Sequence, residues 1–281
     1  NVFDPVLNQT VQVRELLQGN PNLKPENADT WTVGAVYQPS WAPGLSLSLD
    51  YYDIKVNGVI GTISSNLTTQ RCFAGLTQFC QAVVFNPNGS IAYTLLQNFN
   101  LNALKTSGLD FELSYETRVG DGRLALRALG TYVDKLVTVD AAGPDDRVGK
   151  LSTFARTNGV PHFTGVFDVT YSKPQWLINL QTRLIGGGKY NPLFTEGVGK
   201  ANTINQNDIP AFAYVSLTGQ VNVEAAGFKD LQFFMTIDNL TNTAPPYIPS
   251  GTVGGANETS TNPSFYDVIG RNFKVGVRFK I

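Results

Sequence analysis

The feature that most constrains this 281-residue chain is a strict alternation of apolar and polar side chains, repeated over nine separate segments. From Phe273 onward, Phe273, Val275, Val277, Phe279 and Ile281 fall on one side of an extended backbone. Lys274, Gly276, Arg278 and Lys280 fall on the other. Leu231, Phe233, Met235 and Ile237 alternate in the same way with Asp230, Gln232, Thr236 and Asp238, with Phe234 the exception. Segments beginning at Ala213, Trp176, Phe163, Leu109, Leu45 and Trp31 repeat the pattern, and a ninth surrounds Leu124. A period of two defines strands with one greasy and one wet face.

The links between these segments carry a second regularity. Short ones lie near 39–44, 117–122, 172–175 and 223–228, with turn residues such as Pro43-Gly44, Gly120-Asp121-Gly122 and Lys173-Pro174. They alternate with long ones near 14–27, 57–98, 140–160, 186–210 and 241–263. Tyr37, Trp41, Tyr115, Tyr171 and Trp176 sit beside the short turns, where an interfacial aromatic girdle belongs. The wet faces mix carboxylates, Arg, Ser, Thr, Asn and Gln, as the lining of a hydrated barrel does. Short turns alternating with long loops are the mark of an antiparallel transmembrane β-barrel. The fold class is therefore all-β.

Composition limits the function. Hydrophobic residues make up 42% and charged residues 15%, and no run approaches the ~18 apolar residues of a membrane helix. A formal net charge of -1 and the absence of any basic run leave no electrostatic case for nucleic acid. The two cysteines, Cys72 and Cys80, lie in one loop without metal-ligand spacing. In an oxidising compartment they pair as a disulfide, worth about 2–3 kcal/mol by loop entropy. His162 is the single histidine. A dyad with Asp110, Asp134 or Asp168 is the one enzymatic arrangement available, and no spacing brings them together. No phosphate loop or nucleophile elbow occurs, and Gly186-Gly187-Gly188 reads as a flexible loop. The chain is read as a non-enzyme without metal or cofactor.

Three segments then resemble the TonB-dependent receptor family. Gly19-Asn20-Pro21-Asn22-Leu23-Lys24-Pro25-Glu26 is similar to a family external loop and leads into the strand at Thr30-Trp31. Ile237-Asp238-Asn239-Leu240-Thr241-Asn242 resembles the end of a late barrel strand, with Tyr247 the matching aromatic. Gly270-Arg271-Asn272-Phe273 through Ile281 resembles the final strand, although Ile281 stands where the family ends on an aromatic.

The resemblance implies that residues 1–281 form the C-terminal part of a 22-stranded barrel, with about nine strands present and the plug domain and N-terminal strands absent. A polar, Pro-containing start rather than a signal peptide agrees with that expectation. It further implies a monomeric receptor in the bacterial outer membrane, in contact with lipid, its own plug and, through the plug, the TonB complex. Such a receptor takes up a ferric siderophore, a cobalamin-like compound or a saccharide. Arg71, Phe79, Phe85, Tyr190, Phe194 and Tyr247 are the candidate ligand contacts, because aromatics stack on rings and Arg pairs with an anionic chelate. A passive porin is the main rival, followed by a self-contained soluble β protein and a barrel enzyme.

Overall fold

The computed structural model describes residues 1–140, 143–152, 159–199, 203–225, 228–248 and 261–280. Nine strands follow the nine alternating segments: β1 (Asn27–Tyr37), β2 (Leu45–Thr62), β3 (Asn98–Val119), β4 (Gly122–Asp140), β5 (Phe163–Lys173), β6 (Trp176–Ile185), β7 (Phe212–Ala225), β8 (Phe228–Asp238) and β9 (Asn272–Lys280). They form one sheet in sequence order, each strand beside its predecessor and successor. This up-and-down meander is the topology in which each link need only reverse the chain.

Register sorts the side chains by face. Arg183 stands opposite Val166 and Tyr214, and Leu180 opposite Val169 and Leu217. Among the described residues the apolar rows pack against neither helix nor second sheet: Phe273, Val275 and Val277 are 61%, 77% and 52% exposed. So much contiguous apolar surface is incompatible with a soluble sandwich. On the other face the polar groups pair across strands. Arg127 Nε donates to Glu112 at 2.9 Å, Thr131 Oγ1 to Asp110 at 2.6 Å, and Gln181 Nε2 to Asp168 at 3.0 Å. Phe234, on this wet face, lies over Gly276 and beneath the Arg278 guanidinium.

Several in-strand glycines are roofed by rings. Phe111 covers Gly130, Tyr52 covers Gly108 and Tyr171 covers Gly122, so that a Cβ there would collide with the aromatic. Gly44 has a different cause. It turns at φ +88° within a gap that the Glu116 carbonyl already fills, so only glycine fits between β1 and β2.

Two strands reach further than the alternation predicts. The link expected from residue 57 starts only after Thr62, because β2 runs to 18 residues and β3 to 22. A strand needs about 9–11 residues to cross a bilayer, and beyond that span both faces meet water and alternation is no longer enforced.

The described residues pack as two compact units. In the first (residues 1–30, 54–105 and 137–146), Val2, Ile63, Cys72, Phe79, Val83 and Ile91 form a core of their own. Around it stand the hairpin of Val2–Asp4 with Gln9–Val11, the small sheet of Arg14–Leu17, Ile91–Leu96 and Val83–Phe85, and helices α1 (Ser65–Phe73) and α2 (Thr77–Cys80). Ser64 caps α1 by accepting from the Leu67 N–H, and Gly75 closes it at φ +88°. In the second unit (residues 31–53, 106–136 and 147–281), Leu151, Ile185, Ile209, Tyr214, Ile248 and Tyr266 form a core drawn from links and strand ends.

Candidate ligand-binding segments

In the first unit the Gly19–Glu26 segment is a strap. Asn20 Nδ2 donates to the Asn98 carbonyl at 2.8 Å, and Glu26 Oε1 accepts from the Ile60 N–H at 2.7 Å. Asn100 is its anchor: Oδ1 accepts from the Lys24 N–H, and Nδ2 donates to the Lys24 and Gly58 carbonyls, all at 2.7 Å. The strap ties ends of β2 and β3 together through backbone and amide groups.

The same unit holds three of the predicted contacts. Cys72 and Cys80 are joined by a disulfide, which clamps α1 to α2. Phe79, one residue before Cys80, is 3% exposed and packs toward Phe99 at 6.1 Å, so it offers no surface to a ligand in this structure. Apolar rings beside a disulfide fill the core that so short a helical pair needs. Arg71 is half-buried near the end of α1. Phe85 is 39% exposed and meets Phe73 edge-to-face at 5.8 Å, an aromatic pair open to solvent.

Asp4 completes this unit. Its carboxylate is fully buried and accepts the N–H groups of Val6, Leu7 and Ile91 at 2.9, 3.3 and 2.8 Å. Burial opposes its ionisation, but the three backbone donors outweigh that and hold the group below its ordinary range.

In the second unit, Tyr190 and Phe194 are organised by one side chain. Buried Asn207 donates to the carbonyls of Asn191 and Phe194 at 3.0 and 2.9 Å and accepts from the Asn191 N–H at 2.9 Å. Tyr190 is half-buried beside the Leu151 core, and burial pushes its phenol up. Phe194 is half-buried and Tyr247 is 79% exposed.

A cavity of about 390 Å³ opens on the polar face of β4, β5 and β6, with Thr131, Thr164, Arg183 and Ile185 on its floor and Ser264 and Phe265 at its rim. Sequence reasoning missed it, because it depends on a segment after residue 260 returning over the strands. Its charge is Arg183, whose guanidinium lies 5.2 Å from the Tyr214 ring centroid.

The returning segment is pinned by asparagines. Asn262 Nδ2 donates to the Leu151 carbonyl at 2.9 Å while Oδ1 accepts the Ser264 N–H at 3.0 Å. Asn239, at φ +51°, donates to Asp267 Oδ2 at 3.0 Å, and Asn242 accepts from the Arg271 N–H at 3.0 Å. The Ile237–Asn242 motif thus fixes the approach to β9. Burial opposes ionisation of Asp267, but bonds from Ile269, Asn239 and Gly270 together with the Arg183 charge hold it below its usual range. Tyr266, 3% exposed and with no partner for its hydroxyl among the described residues, is pushed up to about 12 by burial and by the neighbouring Tyr214.

His162 stacks on Tyr132 at 5.9 Å and places Nδ1 3.2 Å from the Val133 carbonyl. Asp110 and Asp168 are occupied by Thr131 and by Asn179 and Gln181, and Asp134 accepts from Ser107. No cluster able to hold a metal ion occurs among the described residues.

A meandering sheet, apolar and exposed on one face and hydrogen-bonded on the other, defines a piece of a membrane β-barrel wall. Residues 1–240 match the family model described as TonB dependent receptor-like, beta-barrel, and the chain belongs to that family. Its fold is similar to a ferric enterobactin receptor mutant from Pseudomonas aeruginosa, at 18% identity and a TM-score of 0.58 over 93% of this chain and 32% of that one. It is also similar to the siderophore receptor PirA from Acinetobacter baumannii (16%, TM-score 0.52, 94% and 33%) and the FrpB iron transporter from Neisseria meningitidis (13%, TM-score 0.53, 93% and 32%). The chain thus spans about a third of the length of the solved structures it matches. No curated protein sequence matches it. The family is one of transport receptors, not enzymes.

Proposed function

We propose that this chain is the C-terminal wall of an outer-membrane receptor that takes up a scarce nutrient by TonB-driven displacement of a plug, with plug and earlier strands supplied by the rest of the protein. The observation that carries the reading is the two-faced sheet: an exposed apolar face suits hydrocarbon, and a hydrogen-bonded polar face suits a wet interior in contact with a plug. The Arg183 cavity supports an anionic ligand, since a guanidinium held on a ring is a strong anion partner. A ferric siderophore is the first substrate class proposed, with cobalamin-like compounds and saccharides behind it. Arg71, Phe85, Tyr190, Phe194 and Tyr247 remain proposed contacts, and Phe79 is replaced in that role by the exposed Phe73–Phe85 pair.

The test is uptake of labelled ferric siderophores, cobalamin and oligosaccharides by a deletion strain carrying the intact gene, with and without TonB. One ligand should accumulate only when both proteins are present. Passage independent of TonB assigns a porin instead, and no uptake of any class defeats the proposal.

A further inference from the structure

Several glycines of the nine-stranded meander lie against a neighbouring side chain, and Gly219 does not. Gly108, Gly122, Gly130 and Gly276 each lie under an aromatic ring, and Gly34 lies against the Asp50 carboxylate. At Gly219 an added Cβ would meet nothing within 4 Å. Gly219 belongs to the apolar face, where it stands between Ile178 on β6 and Met235 on β8, with Val275 next in the row. The adjoining row is Trp176, Val221, Phe233 and Val277. The missing side chain leaves an apolar furrow of about 760 Å³ along these strands.

Ile178 and Met235 rise on strands two spacings apart, about 9.5 Å. That leaves room between them for one polymethylene chain in contact with both walls at about 3.5–4.0 Å. One end of the furrow reaches Trp176, beside the short turn. There Lys173 Nζ lies 5.7 Å from the Trp176 ring centroid and 2.6 Å from Asp121 Oδ1. A cation and an anion side by side, at the end of an apolar slot and next to a tryptophan, complement a headgroup carrying both phosphate and ammonium.

We propose that the furrow seats one acyl chain of a zwitterionic phospholipid from the leaflet facing the short turns, with Lys173 on its phosphate and Asp121 on its ammonium. The proposal rests on the barrel reading, since only a lipid-bathed face has such an occupant. In that setting the bound lipid is part of the wall: it fills the gap that other glycines of the sheet fill with a ring.

The experiment uses the intact receptor in phosphatidylethanolamine vesicles containing a phosphatidylethanolamine with a diazirine midway along one chain. Adducts mapped by peptide mass spectrometry should concentrate on Ile178 and Met235, about fivefold over Phe167 and Leu184, which share the face and have similar exposure. Gly219→Leu should bring the two regions level while leaving Phe167 and Leu184 labelled as before. Lys173→Gln with Asp121→Asn should remove the preference for this probe over its phosphatidylglycerol counterpart. Even labelling along the face, persistence of the excess in Gly219→Leu, or cross-links from a photoreactive residue at 219 to a second protein would each overturn the seat. Absence of adducts from Phe167 and Leu184 as well would instead overturn the barrel reading.

Discussion

Replacing Leu180 or its neighbour Gln181 by arginine puts the same charge at the same depth on opposite faces of β6. Leu180 is the fifth residue of the strand, 38% exposed on the apolar face. At a rise of 3.3 Å and a tilt near 40°, it lies about 10 Å from the strand start, near the middle of an apolar band about 25 Å tall. Arginine there costs about 2–4 kcal/mol, some 30- to 700-fold in the folding equilibrium at 1.4 kcal/mol per decade. Gln181 points to the polar face and donates to Asp168 at 3.0 Å. Arginine at that position keeps a carboxylate partner in water, and its effect stays within about 1 kcal/mol. The assay is reversible guanidinium unfolding of the intact barrel in phospholipid vesicles, read by tryptophan fluorescence. Equal costs for the two variants, or a neutral Leu180→Arg as expected of a half-exposed residue on a soluble protein, would refute the assignment of faces.

Three further outcomes are expected. Asn100→Ala removes three anchoring bonds, two to Lys24 of the strap and one to Gly58, and should raise amide exchange at Lys24 by about tenfold, a cost of roughly 1–2 kcal/mol; unchanged exchange would show that the Asn20 and Glu26 bonds hold the strap by themselves. Because the folded-state value of Asp4 lies below its unfolded one, its contribution is complete above the unfolded value and disappears as pH falls through the folded one. Protection of the Ile91 amide, its exchange rate taken relative to the intrinsic rate at each pH, should therefore fall in acid, and Asp4→Asn should abolish that dependence. Tyr266 should titrate near 12 in difference absorbance, with stability lost as pH rises from its unfolded value toward 12, and Tyr266→Phe should erase that step without destabilising the protein, since the hydroxyl has no partner to lose.

The sheet was legible because lipid and water impose opposite demands on alternate residues, and Phe273 through Phe279 record those demands directly. The motifs were legible as markers and silent as to their work. Nothing in Gly19–Glu26 announces that Asn100, far along the chain, receives it, nor in Asn239 that its partner is Asp267. Helix α1 left no apolar stripe, since its buried residues include Ser65, Thr68 and Thr69, with Ser65 Oγ accepting from Thr94 and Thr69 donating to the Ser65 carbonyl. Its end signals, Ser64 and Gly75, lay inside a segment read as a loop. Phe79 and Phe85 look alike in sequence and differ in fate, because only packing distinguishes a core ring from an exposed one. The Arg183 cavity needs contact between β6 and residues after 260, a relation no local pattern carries.

Backbone hydrogen bonds in a meander are indifferent to alignment, since any two strands slid by two residues bond as well as before. The ring-on-glycine contacts are not indifferent. Phe111 needs the bare backbone of Gly130, and Tyr52 that of Gly108; a slip sets each ring against a side chain and opens a hole where the glycine has moved. A hairpin arriving at the growing edge therefore carries its own key.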